Sequence, residues 1–167
     1  QAGKNLTSGN RNTFLGREAG RDTTTGEDNA FTGFQAGQLN QTGNNNVAMG
    51  SEAFLNNTTS NGNVTIGRSA GKNLNNDDNT FVGNQSGLSS TTATQNVMVG
   101  AYSGKNNETG SNNVLVGFNA GLTGTSWRSC VSSRFVSTAG SAFRNASPAL
   151  PGTESTPATN FFNEPNS

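Results

Sequence analysis

The chain has 167 residues, ten basic and ten acidic side chains, and 29% apolar residues, against about 45–50% in soluble domains on a count that includes Gly. Zero net charge and singly scattered cations (Lys4, Arg11, Arg17, Arg21, Arg68, Lys72, Lys105) exclude the basic patch that a nucleic-acid partner requires, and no run approaches the ~18 apolar residues of a membrane-spanning helix. The absence of histidine removes the commonest general base and the commonest neutral metal ligand, so neither a cofactor nor a metal is expected.

Low hydrophobicity alone would permit disorder, because such chains cannot bury enough apolar surface to offset their ordering entropy. Disordered chains usually combine it with high net charge and few aromatics. This one is neutral and carries ten Phe. A solenoid needs few apolar residues per turn, because each turn contacts only its neighbours.

The repeat decides between them. Reading from the first residues, Gln1-Ala2-Gly3 matches Gln35-Ala36-Gly37, so the sequence starts in mid-repeat. A five-residue unit then opens with Asn at Asn12, Asn29, Asn46, Asn63, Asn79, Asn96 and Asn113, at spacings of 17, 17, 17, 16, 17 and 17. Each unit closes with Gly, at Gly16, Gly33, Gly50, Gly67, Gly83, Gly100 and Gly117. Three residues on stands a small residue, Ala19, Ala36, Ala53, Ala70, Ser86, Ser103 or Ala120, followed by a second Gly except at Phe54. A looser third Gly precedes the next Asn at Gly9, Gly26, Gly43 and Gly110.

Such a period is too short for two helices and a turn, which need about 33 residues. Each Gly-bounded unit reads as a strand, and successive strands would stack in parallel ~4.8 Å apart. The predicted fold is all-β: a parallel β-solenoid, or β-roll, of 17-residue turns over residues 1–122. The Asn column should form a hydrogen-bonded ladder along the axis, with the glycines at tight corners. Phe54 and the single shortened repeat are expected off the strand core, where variation is cheapest.

Strand side chains alternate between faces. Val64 with Ile66, Val97 with Val99 and Val114 with Val116 share one face. Phe14, Phe31, Phe81, Met98 and Leu115 take the other, with Ala48 and Thr65. Both faces are therefore largely apolar, whereas a lone solenoid needs only one. The outer one would form a stripe along the rod, and such stripes mark interfaces. The candidate oligomer face is Phe14, Phe31, Phe81, Met98 and Leu115, with the Val/Ile face as its alternative, and the simplest assembly is a homotrimer.

Asn-Val-x-Ile-Gly-x-x-Ala, at Asn63 to Ala70 and its sister units, resembles the head repeat of YadA-like trimeric autotransporter adhesins and the Gly/Asn-rich repeats of phage tail fibres. The resemblance implies a left-handed β-roll packed as three chains, an extracellular, cell-surface or virion-surface location, and a binding or spacer role. The period here is longer than in those adhesins, which implies a longer polar loop per turn.

The repeat stops after Gly121. The only Trp (Trp127), the only Cys (Cys130) and all four Pro follow it. Residues 123–146 read as a cap or docking segment, with one further strand conceivable from Val131. Residues 147–167 read as an irregular, Pro/Ser/Thr/Asn-rich extended tail.

No catalytic constellation is visible. Cys130 lacks a His partner, and no phosphate-binding loop or nucleophile elbow appears. The acidic pairs Glu27-Asp28 and Asp77-Asp78 read as solvated turn residues rather than a calcium or glycosidase site. Sequons at Asn5, Asn40, Asn57 and Asn107 fall in predicted outer loops. The sequence thus points to a non-catalytic structural or adhesive fibre segment, a rigid stalk or head whose partner is itself, with a surface receptor or glycan beyond. The alternatives are the subunit of an end-to-end extracellular filament and an ice- or glycan-binding solenoid.

Overall fold

The computed structural model describes residues 1–122. Within them lie seven three-residue strands: β1 (Thr13–Leu15), β2 (Ala30–Thr32), β3 (Val47–Met49), β4 (Val64–Ile66), β5 (Thr80–Val82), β6 (Val97–Val99) and β7 (Val114–Val116). They form one parallel sheet in chain order. Each strand pairs in register with its equivalent one turn on, Phe14 opposite Phe31 and Met98 opposite Leu115. This is the predicted parallel β-solenoid.

The ladder continues around the corners. Thr13 N–H donates to the Asn29 carbonyl at 2.8 Å, and Gly33 N–H returns to Leu15 at 2.8 Å. Beyond the strand, Gly20 N–H donates to Ala36 and Gln35 N–H to Arg17, both at 2.9 Å. Backbone donors and acceptors are thereby satisfied turn to turn, as burial demands. The shortened repeat leaves this intact, because β4 and β5 keep their register, Val64 opposite Thr80. The missing residue comes out of the polar loop around Asn75 and Asn76, as expected.

The closing glycines are required by close approach. A Cβ on Gly16 would lie 2.6 Å from the Gly33 carbonyl oxygen, at a φ of +126°. Sequence reasoning gave positive φ to glycine alone. Two further columns adopt it with ordinary residues: Glu18, Gln35, Glu52, Ser69, Gln85, Tyr102 and Asn119 in one, and Arg11, Asp28, Asn45, Asp78, Gln95 and Asn112 in the other, which Gly62 completes. Their cost is offset by the turn-to-turn hydrogen bonds they permit.

The core is one residue wide. Phe31, Phe81, Met98 and Leu115 are wholly buried, and the small column beside them is buried throughout. Where Ser replaces Ala in that column, its hydroxyl donates to a strand carbonyl one turn on, Ser86 to Met98 and Ser103 to Leu115, both at 3.0 Å.

Phe54 departs from expectation. It is wholly buried and belongs to the core. Its φ is +56°, like that of the corner glycines it replaces, and its ring lies 6.3 Å from that of Phe31. The reason is the neighbouring strand residue. A Cβ on Gly37 would come within 2.5 Å of the Phe31 ring, so a large inner residue demands Gly at this corner. In β3 the inner residue is Ala48, and Phe54 fills the space that a strand Phe fills elsewhere. The next turn has Thr65 inside with Gly71, and there Leu74 is buried in a column held by Thr23, Asn40, Asn57, Ser90 and Asn107 in other turns and by an exposed Leu6 in the first.

Candidate interaction face

The Asn ladder forms as expected, with a feature the sequence did not disclose. Each side-chain oxygen accepts the backbone N–H of the next Asn, from Asn12 through Asn96, at 2.9–3.1 Å. From Asn29 onward it also accepts that residue's side-chain amide, as Asn46 Nδ2 does toward Asn29 Oδ1 at 3.1 Å. The remaining amide proton caps the loop that leads into the next Asn, as in Asn46 Nδ2 to the Ser60 carbonyl at 2.7 Å. The ladder is thus part backbone, and it fixes where the loop meets the strand.

A second ladder runs the other way two residues upstream. Glu27 N–H donates to Asn44 Oδ1 at 2.7 Å, Asn44 N–H to Asn61 Oδ1 at 2.9 Å, and Asn61 N–H to Asp77 Oδ1 at 2.7 Å. Asp and Asn serve equally as acceptors there, which is why that column looked variable. Asp77 is therefore an acceptor for the preceding turn, while Glu27 and Asp28 pair with Arg11 at 3.1 and 2.6 Å on an exposed surface. Hydrogen bonding from Arg11 holds the Asp28 carboxyl below its ordinary range. Among the described residues, no group of three or more His, Cys, Asp or Glu is placed to hold a metal ion.

Of the sequons at Asn5, Asn40, Asn57 and Asn107, three belong to the fold. Asn40, Asn57 and Asn107 are wholly buried. Asn107 Nδ2 donates to the Gly110 carbonyl at 2.8 Å and its Oδ1 accepts the Gly110 N–H at 3.1 Å. In these three the Asn-x-Thr pattern reflects a loop closure. Only Asn5 of the four is exposed.

The candidate oligomer face requires correction. Phe31, Phe81, Met98 and Leu115 are 0% exposed, and Phe14, in the first turn, packs partly buried against them. They point inward and offer no outer surface. The outward face is the alternative Val/Ile one: the first and third residues of each strand. Along it Leu15 is 66% exposed and Met49 50%, and Val97, Val99, Val114 and Val116 are exposed too. The two faces could not be told apart by hydrophobicity because both are apolar. The signal that could have separated them is the coupling of the middle strand position to the corner six residues on, as in Ala48 with Phe54.

Aromatic residues flank this stripe just past the closing glycines. Arg17 lies over the Phe34 ring at 5.6 Å. Phe118, 63% exposed, meets Tyr102 edge-on at 5.9 Å. The first and third strand positions carry no charged side chain from β1 to β7. The face is therefore uncharged along all seven strands and largely apolar, interrupted by Thr13, Thr32 and Thr80, which suits it to packing against another protein surface. The predicted cap and tail, with Trp127 and Cys130, lie outside the described residues.

Comparison with family models, with curated proteins and with solved structures gave no match.

Proposed function

We propose that this chain is a non-catalytic structural or adhesive segment of an extracellular fibre on a cell or virion surface, acting as a rigid stalk or head. It associates with copies of itself through the outward strand face, most simply as a homotrimer. The observation that carries this reading is the exposed apolar stripe, Leu15, Met49, Val97, Val99, Val114 and Val116. Leaving such a stripe in water forgoes roughly 25 cal/mol for each Å² of apolar surface. The solenoid's core is already complete without it, so the stripe serves something outside the protomer.

Rigidity supports the same role. Every turn from β1 to β7 is tied to the next by strand pairing, corner hydrogen bonds and the Asn ladder, and the second ladder adds further ties from Glu27 to Asp77 and from Thr94 to Ser111. Such a rod holds its ends at a fixed separation, as a stalk must.

The test is the solution mass of the full chain by light scattering coupled to size exclusion. A discrete three-chain particle is the expected result. A monomer at all concentrations would sink the self-association and leave the stripe to a different partner, and long filaments would place the contact at the ends of the solenoid instead.

A further inference from the structure

We propose that Asn61–Gly62 is a modification site: a spontaneous deamidation site that the second ladder holds closed and that reacts only when the turns carrying β3 and β4 part. This stands independently of the oligomeric reading.

Asn61–Gly62 is the only Asn-Gly step in the sequence, and its glycine is exposed. In such a step the glycine nitrogen gives its proton to solvent base and attacks the Asn Cγ, forming a C–N bond. The bond from Cγ to Nδ2 then breaks, the amide takes up a proton from water and leaves as ammonia, and a five-membered succinimide remains. A water molecule opens that ring at either carbonyl, giving Asp or isoAsp, with nothing oxidised or reduced. Glycine favours the closure because no Cβ restricts its backbone or hinders its nitrogen. The fold does not itself ask for glycine here. Its φ is +69°, and Arg11, Asp28, Asn45, Asp78, Gln95 and Asn112 hold the same place in sister turns at φ values of 56–61°.

In the folded chain both reacting groups are held by one residue of the preceding turn, Asn44. Its backbone N–H donates to Asn61 Oδ1 at 2.9 Å and its side-chain amide donates to the same oxygen at 3.2 Å, which anchors the carbon to be attacked. Its carbonyl accepts the Gly62 N–H at 3.1 Å, which retains the proton that must leave. From the following turn, Asp77 Oδ1 accepts the Asn61 N–H at 2.7 Å, and the Asp78 N–H donates to the Asn61 carbonyl at 3.1 Å. The step is thus pinned from both sides. Ring closure requires the Asn61 side chain and the Gly62 nitrogen to leave Asn44 together, so local opening sets its rate.

The two products differ in what they can rejoin. Asp keeps an acceptor for Asn44, and Asp77 already fills that role one turn on. IsoAsp lengthens the main chain by one methylene just before Asn63, a rung of the first ladder, and displaces it.

The full chain is held in mildly alkaline buffer, folded and in urea, and conversion at Asn61 is followed by peptide mass spectrometry. Gly62→Ala and Asp77→Ala are treated alongside. The expected result is conversion at least tenfold slower in the folded chain than in urea, and several-fold faster in folded Asp77→Ala than in the folded parent. Gly62→Ala should suppress the reaction in urea. Asn61→Asp, made directly, should leave Asn44 N–H as protected from hydrogen exchange as in the parent. Conversion of the folded chain at the urea rate, or equal rates in the folded parent and folded Asp77→Ala, would overturn the gating by the ladder. Conversion in urea no faster at Asn61 than at Asn75, which precedes Asn76, would overturn the site itself. Loss of Asn44 protection in Asn61→Asp would overturn the assignment of Asp as the product that rejoins.

Discussion

The turns through β3 and β4 and those flanking them fill the same interior with different residues. The flanking turns place Phe31 or Phe81 in the strand and Gly37 or Gly87 at the corner. The β3 turn places Ala48 in the strand and Phe54 at the corner, and the β4 turn combines Thr65 with Leu74 from further round the coil. Strand register is unchanged, since all these strands pair in register. What each turn preserves is therefore filled volume rather than the identity of a residue at one position. Interiors pack densely, and here a turn meets that demand from whichever of three inward positions is available.

The most damaging way to break this equivalence is Phe54→Ala. It removes the one large side chain of its turn, where Ala48 cannot compensate, and Phe-to-Ala changes in cores cost about 3–5 kcal/mol. If the volume rule holds, Ala48→Phe combined with Phe54→Gly recovers most of that loss, by restoring the arrangement of Phe31 with Gly37. Ala48→Phe alone should destabilise, because two rings would compete for one space. Chemical denaturation of the three variants measures the coupling. Additive losses would show that Phe54 and Ala48 are independent.

A smaller loss is expected from Asn63→Ala, which leaves the core volume alone and removes a rung. Asn63 Oδ1 accepts from Asn79 N–H at 2.9 Å and from Asn79 Nδ2 at 3.3 Å, and Asn63 Nδ2 donates to Asn46 Oδ1 at 3.2 Å. The substitution leaves a buried backbone donor unpaired, at about 1–3 kcal/mol. Asn63→Asp should cost less at the Asn79 end, where it keeps the acceptor. It should cost more at the Asn46 end, where it sets a carboxylate oxygen against an amide oxygen. Hydrogen exchange at Asn79 reads the first effect, and equilibrium unfolding reads the sum.

These ladders mark how far the sequence could be read. The period, the Asn column and the closing glycines are visible in one chain because the same physical demand recurs at the same place in every turn. A Cβ at Gly16 or Gly50 would strike the next backbone, so only one residue serves. The inside and outside of the strand were less legible. Val97 and Val99 are as apolar as Met98, and a three-residue strand gives alternation too little length to show which face is enclosed. The second ladder was hidden for another reason. It asks only for an acceptor, so Asn44, Asn61, Asp77 and Ser111 all serve, and a shared function leaves no shared letter. Phe54 looked like an exception at a corner because its partner, Ala48, belongs to a different column.

The outward face should respond differently from the inward one. Val99→Asp with Val116→Asp changes two exposed side chains whose loss removes no core contact. Stability of the isolated protomer should move by under about 1 kcal/mol, as expected for surface sites. The particle mass should fall to that of a single chain, because a carboxylate in an apolar contact loses its hydration without gaining a partner. If Leu115→Asp unfolds the chain while this pair leaves a folded rod of unchanged mass, the inside–outside assignment stands but the stripe is not where copies meet.

The smallest effect expected is on acid sensitivity, and it separates the N-terminal turns from the C-terminal ones. Glu18, Asp22, Asp28 and Glu52 all have carboxyl pKa values held below the ordinary range, chiefly by hydrogen bonds from Gln35, Arg21, Arg11 and Lys72 respectively. A group whose folded pKa lies below its unfolded value binds fewer protons in the folded state. Its contribution is present above the ordinary carboxylate range and is lost as pH falls through the depressed folded values. All four groups precede β4, and these are surface pairs, screened by solvent and individually weak. Lowering the pH from neutral into the acid range should therefore loosen the turns through β1, β2 and β3 slightly, read as faster hydrogen exchange at Gly20 and Gly37. Exchange at Gly87 and Gly104, which lie in turns away from these four carboxylates, should follow only the intrinsic pH dependence. High salt should shrink the difference between the two ends. Equal acceleration at both ends would show that acid acts on the backbone ladder as a whole rather than on these four pairs.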